Sequence, residues 1–135
     1  MANLLVLEDD EVFADLLQVS LERAGHFPIF CTDATQAIAQ YDEYDFDLVI
    51  ADLIVKKNNR AVPDGGVILL AFLQGRAREG HKIPPVISMS GATKAPGLEN
   101  LLVTSRDLGA TASLTKPFEP IELLSLIDEL LESEV

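Results

Sequence analysis

Short apolar runs alternate with segments of helical spacing along the whole 135-residue chain, and few architectures accommodate that order. The runs are Leu4-Leu5-Val6-Leu7, Phe27 to Cys31, Leu48-Val49-Ile50-Ala51, Pro84 to Met89, and Ala112 to Thr115. Each is too short for a buried helix, and the unbroken runs Leu4 to Leu7 and Leu48 to Ala51 are as expected of strands covered on both faces. Between them lie amphipathic stripes: Phe13, Leu16, Leu17, Leu21 and Ala24; Ala37, Ile38 and Tyr41; Ile68, Leu69, Phe72 and Leu73; Leu98, Leu101, Leu102 and Leu108. A last helix from Pro120 places Leu123, Leu124, Ile127, Leu130 and Leu131 on a wide apolar face. Strand and helix in strict alternation predict an α/β fold: a doubly wound, five-stranded parallel sheet with helices on both faces, in one domain over residues 1–135. Pro28 cannot complete a ladder, so the second strand is expected near an edge.

The hydrophobic fraction of 48% is enough for a sizeable core. The formal charge of -12, from 22 acids against 10 Lys and Arg, argues against direct binding of nucleic acid, which needs a phosphate-neutralising surface. A single cysteine, Cys31, cannot form an internal disulfide and suits a reducing compartment. Met1-Ala2-Asn3 is not a charged signal region, and every apolar run is far shorter than a membrane span. The expected setting is cytoplasmic, away from the membrane.

In an open parallel sheet, ligands bind beyond the carboxyl ends of the strands. The third run ends at Asp52, the first at Glu8-Asp9-Asp10, the fourth at Ser90-Gly91 and the fifth at Lys116-Pro117. With right-handed crossovers these ends share one rim. Carboxylates brought that close repel each other, and a hard divalent cation such as Mg²⁺ is the usual remedy. Three acids, a hydroxyl and an ammonium make a set suited to handling phosphoryl groups: a carboxylate nucleophile, cationic neutralisation and positioning donors. Each piece also has a plainer reading. An acidic triplet caps a helix, an aspartate at a strand end forms a turn, and a serine beside a glycine is a loop hydroxyl. His26, His81 and Cys31 have no second ligand at metal-binding spacing and read as structural or solvated.

The segments Leu5-Val6-Leu7-Glu8-Asp9-Asp10, Phe46 to Leu53, Pro63-Asp64-Gly65-Gly66, Met89-Ser90-Gly91, and Gly109-Ala110 with Leu114-Thr115-Lys116-Pro117-Phe118 together resemble the receiver domain of two-component response regulators. The resemblance spans essentially the whole chain and implies a flavodoxin-like, receiver-type fold. It implies that Asp52 accepts a phosphoryl group from a phosphohistidine on a sensor histidine kinase or phosphotransfer protein. It further implies that Asp9, Asp52 and the Ile54 carbonyl ligate Mg²⁺, with Glu8 acting through water, and that Ser90 and Lys116 bind phosphoryl oxygens. Output would then run through contact with a downstream protein or a second copy of the chain, on the surface of the fourth and fifth helices and the strand between them.

Two departures stand out. Receivers commonly carry an aromatic residue three positions before the lysine, and here that position is Ser113. The stretches after Asp52 and after Ser90 read as unusually long loops, the first carrying Lys56, Lys57 and Arg60 in an otherwise acidic protein. The main alternative is a receiver-like module that binds partners without phosphorylation. A Mg²⁺-dependent phosphoesterase is disfavoured by the lack of sequence for a cap, and a dinucleotide site by the acids that fill the place of a glycine-rich loop.

Overall fold

The computed structural model describes residues 2–53, 55–57, 60–62, 65–91 and 109–133. Its elements are β1 (Asn3–Leu7), α1 (Glu11–Arg23), β2 (Phe27–Cys31), α2 (Ala34–Glu43), β3 (Leu48–Asp52), β4 (Val55–Lys57), β5 (Arg60–Val62), α3 (Gly66–Arg78), β6 (Val86–Ser90), β7 (Ala112–Thr115) and α4 (Pro120–Ser133). The helix expected around Leu98 to Leu108 lies outside the described residues.

Five strands form one parallel sheet in the order β2-β1-β3-β6-β7. The strand carrying Pro28 is at an edge, as the missing N–H requires. Every residue of β3 and β6 is buried, and only Asn3 of β1 is exposed. Their side chains alternate between two cores. Leu5, Leu7, Val49 and Ala51 pack with Leu69, Leu70 and Leu73 of α3, while Leu4, Val6, Leu48 and Ile50 pack with Leu17 and Leu21 of α1 and Leu123 and Ile127 of α4. Burying each leucine or isoleucine contributes roughly 1.5–3 kcal/mol. That two-sided burial is why the β1 and β3 runs show no polar alternation.

Three local expectations change. The stretch after Asp52 is not an unstructured loop: β4 and β5 pair antiparallel as a separate two-stranded sheet, with Lys57 opposite Arg60 and Val55 opposite Val62. β-branched residues flanking Asn58-Asn59 are a hairpin signal, hidden in the sequence by the intervening basic residues. On α3, Ile68 is 43% exposed, and the buried stripe runs through Leu69, Leu70 and Leu73. On α1, Leu16 is exposed while Leu17 and Leu21 are buried.

Candidate functional site

Four strand ends do meet. β1 leads into Glu8 and Asp9, β3 ends at Asp52, β6 at Ser90, and β7 is followed by Lys116. The sheet holds them in register: Leu7 pairs with Ala51, Asp52 with Met89, and Ser90 with Thr115. Beyond the last rungs the Leu53 N–H donates to the Met89 carbonyl and the Lys116 N–H to the Ser90 carbonyl, both at 2.9 Å.

The acidic triplet divides its work. Asp10 is the N-cap of α1, its carboxylate accepting from the Val12 and Phe13 N–H groups at 3.0 and 3.2 Å. The plain capping reading therefore holds for Asp10 alone. Glu8 turns inward, 2% exposed, and accepts from the Asp10 N–H at 3.1 Å. Carboxylate oxygens of Glu8, Asp9 and Asp52 all lie within 4.8 Å of one another. Asp52 is 5% exposed, and Ser90 is 1% exposed on the adjoining strand.

Lys116 joins the set. Its ammonium donates to Glu8 Oε1 and, at 3.0 Å, to Asp52 Oδ2. It also sits 4.8 Å from the centre of the Phe13 ring, which packs edge-on against Phe118 at 5.5 Å. The Lys116–Pro117 peptide is cis, an isomer that sequence does not reveal. Two glycines of the motifs keep the approach clear: a Cβ on Gly66 would lie 2.5 Å from the Asp52 carbonyl oxygen, and one on Gly91 would lie 3.2 Å from Lys116 Cβ.

Electrostatics follow from this crowding. Burial, reinforced by the Asp52 charge and only partly opposed by Lys116, pushes the Glu8 carboxyl up to about 7. Burial would depress Lys116, but the Asp52 and Glu8 carboxylates outweigh it and hold the ammonium above its ordinary value. The lysine is a fixed cation at any physiological pH. Hard oxygen donors on three carboxylates are a donor set suited to Mg²⁺.

Glu8, Asp9, Asp52, Ser90 and Lys116 thus come together, while Ile54 lies outside the described residues. Ser113 occupies β7 opposite Ser88, so the aromatic position three before the lysine is indeed a serine. Cys31 is buried with its thiol pushed up to about 11 by desolvation, His26 accepts from the Ala2 N–H at 3.3 Å at the far end of the sheet, and His81 is exposed. The two histidines stay apart from the rim, whereas the Cys31 carbonyl accepts from the Glu8 N–H at 2.9 Å and the residue itself is buried in the core with Leu5, Leu7 and Ala34. Sequence reasoning missed Phe13 and Phe118, the aromatic wall beside Lys116. The available signal was their position, three residues after the Asp10 cap and two after the lysine.

The family profile of the response regulator receiver domain matches residues 4–128. A probable transcriptional regulator, ycf29, of Pyropia yezoensis is 30% identical over 98% of this chain and 54% of its own length. The transcriptional regulatory protein CpxR of Escherichia coli K12 is 30% identical over 97% of this chain and 50% of its own. The chain therefore spans about half the length of these relatives. Among solved structures, the CheY-like response regulator receiver domain protein of Methanospirillum hungatei superposes with a TM-score of 0.78 at 26% identity, covering 98% of this chain and 95% of that one. Sheet order, matched span and superposition agree on a flavodoxin-like fold, and the chain belongs to the response regulator receiver domain family.

Proposed function

We propose that residues 1–135 work as a phosphoacceptor unit in a two-component relay, with Asp52 as the acceptor. The observation that carries this is the contact of one buried carboxylate, Asp52, with a fixed ammonium, Lys116, and two further acids in a single rim cluster. In the transfer, an Asp52 carboxylate oxygen attacks phosphorus, a P–O bond forms, the P–N bond of a phosphohistidine breaks, and the electron pair stays on the imidazole nitrogen. Such a transfer needs mainly alignment and charge neutralisation.

Glu8, Asp9 and Asp52 would hold the divalent cation, which when bound offsets negative charge on the phosphoryl oxygens. Lys116 supplies a second, permanent cation. Its bond to Asp52 in the present state would be exchanged for one to a phosphoryl oxygen, and Ser90, on the next strand, would donate to another. Phe13 restricts where the ammonium can move. Those shifts would bias the surrounding backbone between two arrangements, a means of signalling that does not require an aromatic at position 113.

The phosphoryl donor would be a protein, a sensor histidine kinase or phosphotransfer protein. Val12, Leu16 and Val19 are spaced as i, i+4 and i+7 on α1 and are 81%, 50% and 49% exposed. They run from the rim along the helix and offer an apolar strip beside the acceptor. Output by contact with a downstream protein is the reading that goes with this, and the chain acts as a signalling protein, as its relatives do.

Intact mass after incubation with acetyl phosphate and Mg²⁺ tests the proposal. One added phosphoryl group on the wild type and none on Asp52→Asn are expected. No adduct with either would leave a module that binds partners without phosphorylation, the reading that Ser113 favours.

A further inference from the structure

The β4–β5 hairpin follows the acceptor strand directly and has no part in the rim cluster. It carries Lys56, Lys57 and Arg60, three of the chain's ten Lys and Arg, and no acid occurs between Asp52 and Asp64. Among the described residues that end the strands at the rim, Lys116 is the one cation. The pairing register sets the backbone of Lys57 opposite that of Arg60 and the backbone of Lys56 opposite that of Ala61.

Reach makes the position relevant. Lys57 is five residues from Asp52, so the chain can separate them by at most about 18 Å. The Debye length is about 30 Å at 0.01 M salt and about 3 Å at 1 M. At low salt, therefore, the hairpin's charges are felt at Asp52, and at high salt they are not. A dianionic phosphoryl donor approaching a protein of charge -12 meets repulsion from nearly every direction. The hairpin sets three cations in sequence within that reach of the acceptor strand.

We propose that the β4–β5 hairpin is an electropositive guide for the incoming phosphoryl dianion, raising the rate at which Asp52 is loaded without touching the reacting atoms. This rests on Asp52 being the phosphoacceptor. Lys57 and Arg60, paired in register, are its main elements, and Lys56 adds to the field.

The experiment compares three versions of the 135-residue chain: wild type, the hairpin variant Lys56→Gln/Lys57→Gln/Arg60→Gln, and a control that loses three cations elsewhere, Arg23→Gln/Arg78→Gln/Lys82→Gln. Each is loaded with acetyl phosphate and Mg²⁺ at low and at 1 M ionic strength, and the loading rate is read by intact mass. At low salt the hairpin variant should load about three-fold or more slowly than wild type and the control less than two-fold, with the gap closing at high salt. Phosphoramidate, a donor of lower negative charge, should give a smaller gap. Equal rates for wild type and hairpin variant, or an equal loss in both variants, would overturn the guide while leaving the acceptor intact. Absence of any label on wild type would remove the acceptor reading and the guide with it.

Discussion

The two ends of the central sheet make a useful contrast. At the amino ends of the strands lies a cavity of about 480 Å³, bordered by Tyr41, Tyr44, Asp45, Lys82 and Ile83. Its neighbouring carboxylate, Asp47, spends an oxygen on the Asn3 N–H at 2.8 Å in an exposed bond. The carboxyl rim has the buried charges instead: Glu8 and Asp52 almost fully out of water and bridged by Lys116. The hollow is at one end and the buried charge is at the other. A receiver takes up a small phosphoryl group on an exposed edge, so desolvated charge is a better guide to its site than volume.

Four measurements put that contrast to the test. The largest effect is expected from Asp52→Asn, which should abolish phosphoryl incorporation, whereas Tyr44→Ala beside the cavity should leave it intact; loading by intact mass decides. A substitution beneath the rim should act on stability alone. Ile50→Ala removes a side chain that is fully buried in the α1 and α4 core and should cost about 2–5 kcal/mol in denaturant unfolding, without moving the loading site.

The next effect concerns pH. An acid whose folded pKa is raised binds its proton more tightly in the native state, so its contribution to stability is complete below the unfolded value and declines as pH rises towards the folded one. For Glu8, raised from 4.5 to about 7, that window is pH 4.5 to 7. The wild type should lose on the order of 3 kcal/mol relative to Glu8→Gln across it, because each pKa unit corresponds to about 1.4 kcal/mol. Parallel unfolding curves for the two proteins throughout that range would contradict the buried-acid picture. The smallest effect is from the cation. Mg²⁺ at 100 times its dissociation constant should stabilise the wild type by about 2.7 kcal/mol, and Asp9→Asn should remove most of that gain; thermal unfolding with and without metal reads it directly.

Much of this was legible in the sequence, and the reasons are physical. Strands buried on both faces appear as unbroken apolar runs, so the sheet and its proline-bearing edge could be read from Leu4–Leu7, Phe27–Cys31 and Leu48–Ala51. The strand ends then gathered Glu8, Asp9, Asp52, Ser90 and Lys116, because parallel topology delivers every carboxyl end to one rim. What escaped depended on neighbours distant in sequence. Whether Asp10 or Glu8 caps α1 is decided by which carboxylate faces Lys116, 108 residues from Glu8. Phe13 looks like an ordinary core residue until Phe118 is set against it. The hairpin escaped because three basic residues interrupt the pattern of a pair only three residues long on each side.

Borohydride trapping locates the phosphoryl group most directly. After loading with acetyl phosphate and Mg²⁺, reduction converts an aspartyl phosphate to homoserine, which peptide sequencing by mass spectrometry identifies. Homoserine at position 52 alone, and none when the metal is chelated, is the predicted result. Homoserine at position 9, any other reduced aspartate, or labelling that persists without metal would contradict it.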